Sequence, residues 1–141
     1  MRGYLTDLVA LSVPAAAAGA GTSAVTGTGV DMAGWDGVLF FVQVATANAG
    51  NHLHAEQSDA SGSGYADLEG SEVVPGDNGD YAVLDVQSPT KRYVRPIVTR
   101  GASTATGDIL AIRYRGRNVP GTHAGVFADL VQIVSPAEGT P

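Results

Sequence analysis

The chain has 141 residues, of which 44% are hydrophobic and 16% are charged, and its formal net charge at pH 7 is −6. The high hydrophobic fraction and low charged fraction exclude a disordered tail. The absence of cysteine excludes disulfides, thiolate metal sites and cysteine nucleophiles. The 19 glycines and 7 prolines indicate many turns and few long helices in a chain of single-domain length.

The N-terminal segment MRGYLTDLVALSVPAAAAGAG is apolar but interrupted. Asp7 and Pro14 break the run that an export signal or a membrane span requires, so we expect neither. The alanines after Pro14 lead into glycines, and we expect residues 1–30 to form a partly irregular arm, with an early strand within TSAVTGTGVDM. Residues 31–141 are expected to form the folded domain and to end in a short exposed tail, PAEGTP.

Short strand-like segments then recur between turn clusters such as VPGDNGD and RGASTATGD. The segment DGVLFFVQVATA, residues 36–47, is apolar at consecutive positions, which predicts a strand buried on both faces over Val38–Val44. The segment VFADLVQIVS, residues 126–135, predicts a closing strand or a short helix, and its β-branched residues favour the strand. Further strands are predicted at residues 51–59, 81–88, 92–100 and 107–117. Short strands between such turns predict an all-β sandwich or barrel.

Within the predicted strand 51–59, the motif HLHAE places His52, His54 and Glu56 on one face, with about 7 Å between alternate residues. Two imidazoles and a carboxylate can bind a first-row metal, and the His-x-His pair resembles that of cupin-type jelly-roll metalloenzymes. A metal-dependent enzyme is therefore one alternative, although the cupin carboxylate would be expected at Ser58 or Asp59. The favoured interpretation is a polar strand face without metal or other cofactor.

Seven of the eight lysines and arginines lie between residues 91 and 117 of this acidic chain. Arginine and tyrosine often anchor protein–protein contacts, and an acidic partner surface would complement such a region. The alternative is a solvated face paired with local aspartates, whereas nucleic-acid binding is disfavoured by the net charge and the few aromatic residues. The residues expected to contact a capsid or a second subunit are Arg92, Tyr93, Arg95, Arg100, Arg113, Tyr114 and Arg115.

Four stretches resemble segments of the small decoration, or cement, proteins of tailed-bacteriophage heads. In chain order they are FVQVATANAGNHLHAEQSDA, YADLEGSEV, SPTKRYVRPIVTR and IVSPAEGT. The resemblance covers roughly residues 36–136, and its motifs are structural rather than catalytic.

This resemblance implies a non-enzymatic, jelly-roll-like antiparallel β-sandwich of one domain. It implies a virion protein that is made in the host cytoplasm, binds the outer surface of the major capsid protein shell and bridges neighbouring capsomers. The likeness to jelly-roll cement proteins of short-tailed phages favours a homodimer over a trimer, with no direct nucleic-acid or membrane contact. Alternatives from other classes are the cupin-like enzyme and a carbohydrate-binding module, which the single tryptophan, Trp35, disfavours.

Overall fold

The computed structural model describes residues 3–115, 125–127, 129–134 and 137–141. In this part of the chain the regular structure is β-strand apart from two short 3-10 turns, and the prediction of an all-β fold is confirmed. None of the described elements is a helix with the length and hydropathy needed to cross a membrane.

The described residues form twelve strands. In chain order they are β1 (Val9–Ala15), β2 (Ala18–Gly21), β3 (Val25–Thr26), β4 (Val30–Asp31), β5 (Gly37–Gln43), β6 (Asn51–Ser58), β7 (Ala66–Asp67), β8 (Tyr81–Gln87), β9 (Tyr93–Arg100), β10 (Thr104–Thr106), β11 (Ile109–Tyr114) and β12 (Leu130–Val134). The 3-10 turns lie at Leu5–Asp7 and Gly125–Phe127.

Most of these strands belong to two sheets that pack face to face. Sheet 1 has the order β1-β11-β5-β8-β12, and sheet 2 has the order β3-β9-β6-β7, with β4 also paired to β9. Strands β2 and β10 form a separate pair. Neighbouring strands are antiparallel except β12, which runs parallel to β8. When β3 and β4 are taken as one interrupted strand, the chain crosses between the sheets in the order of a jelly roll, in agreement with the expected architecture.

The hydrophobic core lies between the two sheets. Alternate residues of β5, which are Val38, Phe40 and Val42, point inward from sheet 1 and are fully buried, and Leu53 and Val98 are fully buried from sheet 2. Burial of each such side chain contributes about 1.5–3 kcal/mol to the free energy of unfolding. The core therefore holds the sheets together and leaves the alternate residues of each strand on the outer surfaces.

The predicted strand segments each contain a strand, although residues 116, 117, 128 and 135 of these segments lie outside the described residues. The segment 36–47 contains β5. The segment 126–135 begins within the 3-10 turn Gly125–Phe127 and contains β12, so its interpretation as a strand is correct over Leu130–Val134. The early segment TSAVTGTGVDM contains β3 and β4, two short strands that both pair with β9. The C-terminal tail is largely exposed as expected, but Glu138 forms an isolated bridge with Leu68.

The N-terminal segment differs from the expected arm because it pairs with strands near the other end of the sequence. Strand β1 forms an edge of sheet 1, where Leu11 lies opposite Ile112 of β11, and β2 pairs with β10. Alanine and glycine have little strand preference of their own, so partners that are distant in sequence decide the structure of this segment. Most of the predicted arm is therefore part of the sandwich.

Arg100 is a buried cation that holds β2 against the end of β9. Its side chain is enclosed, and its residue is 8% exposed. The guanidinium group donates hydrogen bonds to the backbone oxygens of Ser23, Gly19 and Thr104 at 2.5, 2.7 and 2.9 Å. Backbone carbonyl groups thus solvate the charge in place of water, and Arg100 ties three separate segments together.

We expect Arg100→Met to lower the free energy of unfolding by about 3 kcal/mol, because it removes three charged hydrogen bonds and takes the guanidinium donor away from the buried carbonyl group of Thr104. Urea denaturation measures this change. Arg92→Met is the matched control and should have a much smaller effect, since Arg92 is an exposed residue. Equal effects of the two substitutions would contradict the structural role of Arg100.

Candidate functional site

Two basic side chains meet at Asp31, at the end of the sandwich where β5 and β9 begin and β11 ends. Nε and Nη2 of Arg92 donate hydrogen bonds to the two carboxylate oxygens of Asp31 at 3.0 and 2.9 Å. Nη1 of Arg113 donates to the backbone oxygen of Asp31 at 2.9 Å. Asp31 therefore orients two arginines that come from different sheets.

The same contacts determine the charge state of Asp31. The hydrogen bonds from Arg92 and the backbone N–H of Ala33 lower the pKa of Asp31 to about 2. The carboxylate therefore stays ionised across the mildly acidic range, and its pairing with Arg92 persists there.

Trp35 lies beside these groups and is covered by two cations. The guanidinium carbons of Arg115 and Arg113 lie 4.6 and 5.2 Å from its ring centroid, which are cation–π distances. Nε of Arg115 also donates to the backbone oxygen of Gly34 at 2.7 Å. The ring itself packs against the hydrophobic core and is partly buried, so it provides a firm base for both guanidinium groups.

We call this group of residues the arginine–tryptophan patch, and its members are Asp31, Trp35, Arg92, Arg113 and Arg115. Two open clefts flank it, with volumes of about 420 and 270 Å³. The larger cleft is lined by Trp35 and Arg92, and the smaller one by Asp31 and Arg113. Arginine and tryptophan are enriched among the residues that dominate protein–protein binding.

The structure brings only some of the seven predicted interface residues to this patch. Tyr93 adjoins it, since its ring centroid lies 5.3 Å from the guanidinium carbon of Arg92. Arg95 instead lies on the outer face of sheet 2, where it pairs with Glu56 at 2.6 Å and stacks 4.0 Å over Tyr65. Arg117, the last cation of the basic run, lies outside the described residues.

The other two predicted interface residues have different environments. Arg100 is buried, and its hydrogen bonds are made inside the fold, so it is not presented on the surface with the other predicted interface residues. Tyr114 lies on the outer face of sheet 1, where its hydroxyl donates a 2.5 Å hydrogen bond to Asp85. Burial raises the pKa of Asp85, because this carboxylate is set among apolar side chains.

The outer face of sheet 1 is a second candidate surface because it is largely apolar. The register aligns Leu11, Ile112 and Leu39 in a row across β1, β11 and β5, and Leu110 lies opposite Phe41 in the next row. Leu11 is 65% exposed, and the others are partly exposed. The prediction that β5 is buried on both faces is therefore wrong for Leu39 and Phe41, and we call this surface the apolar face.

A third group of polar residues lies on the outer face of sheet 2. The predicted face of β6 carries His52, His54 and Glu56, and the structure adds Asp67 of β7 and Glu72 to it. Nε2 of His54 lies 3.3 Å from a carboxylate oxygen of Asp67, and Nδ1 of His52 lies 3.8 Å from one of Glu72. Burial lowers the pKa of His54, which favours its neutral imidazole form.

Sequence patterns did not identify Asp31, Trp35 and Asp67 as members of these groups. Asp31 and Asp67 lie in strands of two residues, which leave no periodic signal. The sequence suggests only sugar binding for Trp35, and nothing in it places Arg113 of β11 and Arg115, which follows β11, over the ring. The positions of Asp31 and Trp35 depend on pairing between distant strands, whereas that of Asp67 depends on the short pairing of β7 with β6.

No protein-family model matches the chain, and no curated protein matches it either. The chemistry of the arginine–tryptophan patch and of the apolar face suits contact with other proteins, and the histidine and carboxylate groups of sheet 2 suit the binding of a cation.

We expect Arg92→Met to raise the pKa of Asp31 from about 2 toward its ordinary value, because the hydrogen bonds from Arg92 are the largest cause of the shift. The carboxyl carbon resonance of Asp31, followed against pH by NMR, measures this change.

The wild-type pKa of Asp31 is depressed, so the stabilisation from Asp31 is complete above about pH 4 and is lost as the pH falls toward 2. Lys91→Met is the control and should leave the titration of Asp31 nearly unchanged, because Lys91 pairs with Glu138. An unchanged midpoint in Arg92→Met would contradict the pairing.

Proposed function

We propose that this protein is a decoration, or cement, protein of a tailed-bacteriophage head. It binds the outer surface of the major capsid protein shell and bridges neighbouring capsomers, and it catalyses no reaction. The observation that carries the proposal is the arginine–tryptophan patch, and the resemblance of the sequence to such proteins and the jelly-roll topology support it.

The patch suits a partner that is a protein with an acidic surface. Its three arginines outnumber the carboxylates of Asp31 and of Asp36, which lines the larger cleft, although the whole chain carries a net charge of −6. An acidic shell therefore favours contact through this end over the rest of the molecule. Arg92, Arg113 and Arg115 are already held by internal hydrogen bonds, so less side-chain entropy is lost on contact.

Binding of this kind stabilises a shell by mass action. A protein that binds the assembled shell and not the free subunits shifts the equilibrium toward the assembled form. Since the shell repeats the same seam between capsomers many times, modest contacts at each copy sum to a large stabilisation.

A carbohydrate partner fits the patch less well. Sugar-binding modules stack a sugar ring on an open aromatic face, whereas Trp35 is covered by the guanidinium groups of Arg113 and Arg115. These groups form a charged surface whose donors suit carboxylate oxygens.

We further propose that the protein forms a homodimer through the apolar face. Strand β1 is an edge of sheet 1, and its outward residues Leu11 and Val13 are 65% and 53% exposed. An edge strand with apolar side chains favours pairing with a strand of another molecule. If two molecules are related by a two-fold axis, their apolar faces would also cover each other. The partly exposed Leu39 and Ile112 extend the same surface across sheet 1.

The shell-binding proposal is tested by co-sedimentation of the purified protein with phage heads that lack it. Arg115→Ala should weaken binding about ten-fold, which is a typical loss for an arginine that anchors an interface. Ala49→Glu is the control, since it makes the same change in net charge in an exposed turn at the opposite end of the sandwich. Circular dichroism verifies that both variants are folded. Equal binding of Arg115→Ala and wild-type protein would remove the patch from the proposal.

The dimer proposal is tested by sedimentation equilibrium. Leu11→Asp should weaken dimerisation at least a hundred-fold, because it places a charge on the covered apolar face. Val74→Asp changes an exposed apolar residue outside sheet 1 and should leave the dimer intact. A monomeric wild-type protein, or a Leu11→Asp variant that dimerises normally, would contradict the proposal.

A further inference from the structure

The proposed function leaves the polar group on the outer face of sheet 2 without a role. Its central members are His54, Glu56 and Asp67, each of which offers one donor atom within 4.8 Å of the others. His54 and Glu56 come from β6, and Asp67 comes from β7, which pairs with β6 so that Asp67 lies opposite Glu56. The strand pairing therefore holds the three side chains together.

We propose that His54, Asp67 and Glu56 bind a divalent first-row cation of the zinc class. Two ligand atoms bound to zinc at 2.0–2.2 Å in tetrahedral geometry lie about 3.4 Å apart. The distance from Nε2 of His54 to the carboxylate oxygen of Asp67 is 3.3 Å. These two atoms are therefore already at the separation that a shared cation requires, and a small rotation of Glu56 brings in the third ligand.

His54 is buried, and its two neutral tautomers differ in the groups that their ring nitrogens face. His54 is 7% exposed, and its Nδ1 has no hydrogen-bond partner among the described residues. A proton on Nε2 would leave the buried Nδ1 lone pair unpaired. In the other tautomer, the proton is on Nδ1, and this Nδ1–H group would have no hydrogen-bond partner among the described residues. The lone pair of Nε2 would then face the carboxylate of Asp67. A cation between Nε2 and Asp67 accepts both lone pairs and keeps the proton on Nδ1, which has no hydrogen-bond partner among the described residues.

Neighbouring residues complete the environment of the proposed cation. Nε of Arg95 donates to Oε2 of Glu56 at 2.6 Å, which orients the carboxylate and leaves its other oxygen for the cation. The ring of His52 lies 5.4 Å from that of His54, and with Glu72 it supplies further donors beside the site. A donor set of imidazole and carboxylate favours zinc, cobalt or nickel over calcium or magnesium.

The consequence of this site is structural. Strand β7 has only two residues and lies at the edge of sheet 2, so few backbone hydrogen bonds hold it. A cation that binds Asp67 of β7 and His54 of β6 fastens this edge to the centre of the sheet. The site therefore raises the stability of the fold rather than supplying a reaction.

The test uses the full chain after treatment with a chelator and the metal salt alone as the probe. Isothermal titration with zinc chloride should show one equivalent bound, and zinc should raise the melting temperature of the protein. Cobalt chloride should give the visible absorption bands of four-coordinate Co²⁺. Asp67→Asn should weaken zinc binding at least ten-fold, whereas Glu69→Gln, an exposed carboxylate two residues away, should bind as wild type.

Two results would overturn the proposal. One is the absence of binding heat and of any shift in melting temperature with millimolar zinc. The other is an Asp67→Asn variant that is folded by circular dichroism and binds zinc as tightly as Glu69→Gln. Asp67 is partly exposed, so this variant is expected to fold even if replacement of the buried His54 is not tolerated. No phage heads are used, so the result is independent of the shell-binding proposal.

Discussion

The antiparallel pairing of β9 with β6 is the constraint on which the candidate sites depend. Its register places Arg95 opposite Glu56, and it leaves Arg92 at one end of β9 and Arg100 at the other. Because side chains alternate along a strand, a shift of one residue would bring Leu53 to the surface and turn the polar side chains of β6 into the core. The burial of Leu53 and its neighbours therefore fixes the outer polar residues of both strands.

Arginines of one short stretch serve different purposes because their surroundings differ. Arg100 meets only backbone oxygens and is enclosed, so its charge contributes to the stability of the fold. Arg95 meets a carboxylate and is partly buried, so its charge is neutralised locally. Arg92, Arg113 and Arg115 converge on one end of the molecule, where they surround Asp31 and Trp35. The distribution of charge over a surface, rather than the net charge, governs the approach of a charged partner.

The sequence predicts what depends on local pattern and misses what depends on distant pairing. Consecutive apolar residues of β5 and alternation in β6 predicted the strands, and the same alternation predicted that His52 and His54 share a face. Strand β1 was missed because its partner β11 lies near the other end of the sequence. The burial of Arg100 was unpredictable, since an isolated arginine is normally solvated, and only the folded chain shows the three carbonyl groups that surround it.

The parallel strand β12 has a consequence for the order of folding. Its partner β8 already pairs with β5, so the strands of the jelly roll are paired without β12. Closing a long loop costs chain entropy before any contact is gained, so we expect β12 to join sheet 1 late in folding. Because Val131 and Ile133 of β12 pack against the core, loss of β12 would expose core residues as well as the side of β8 and the apolar residues near Val83.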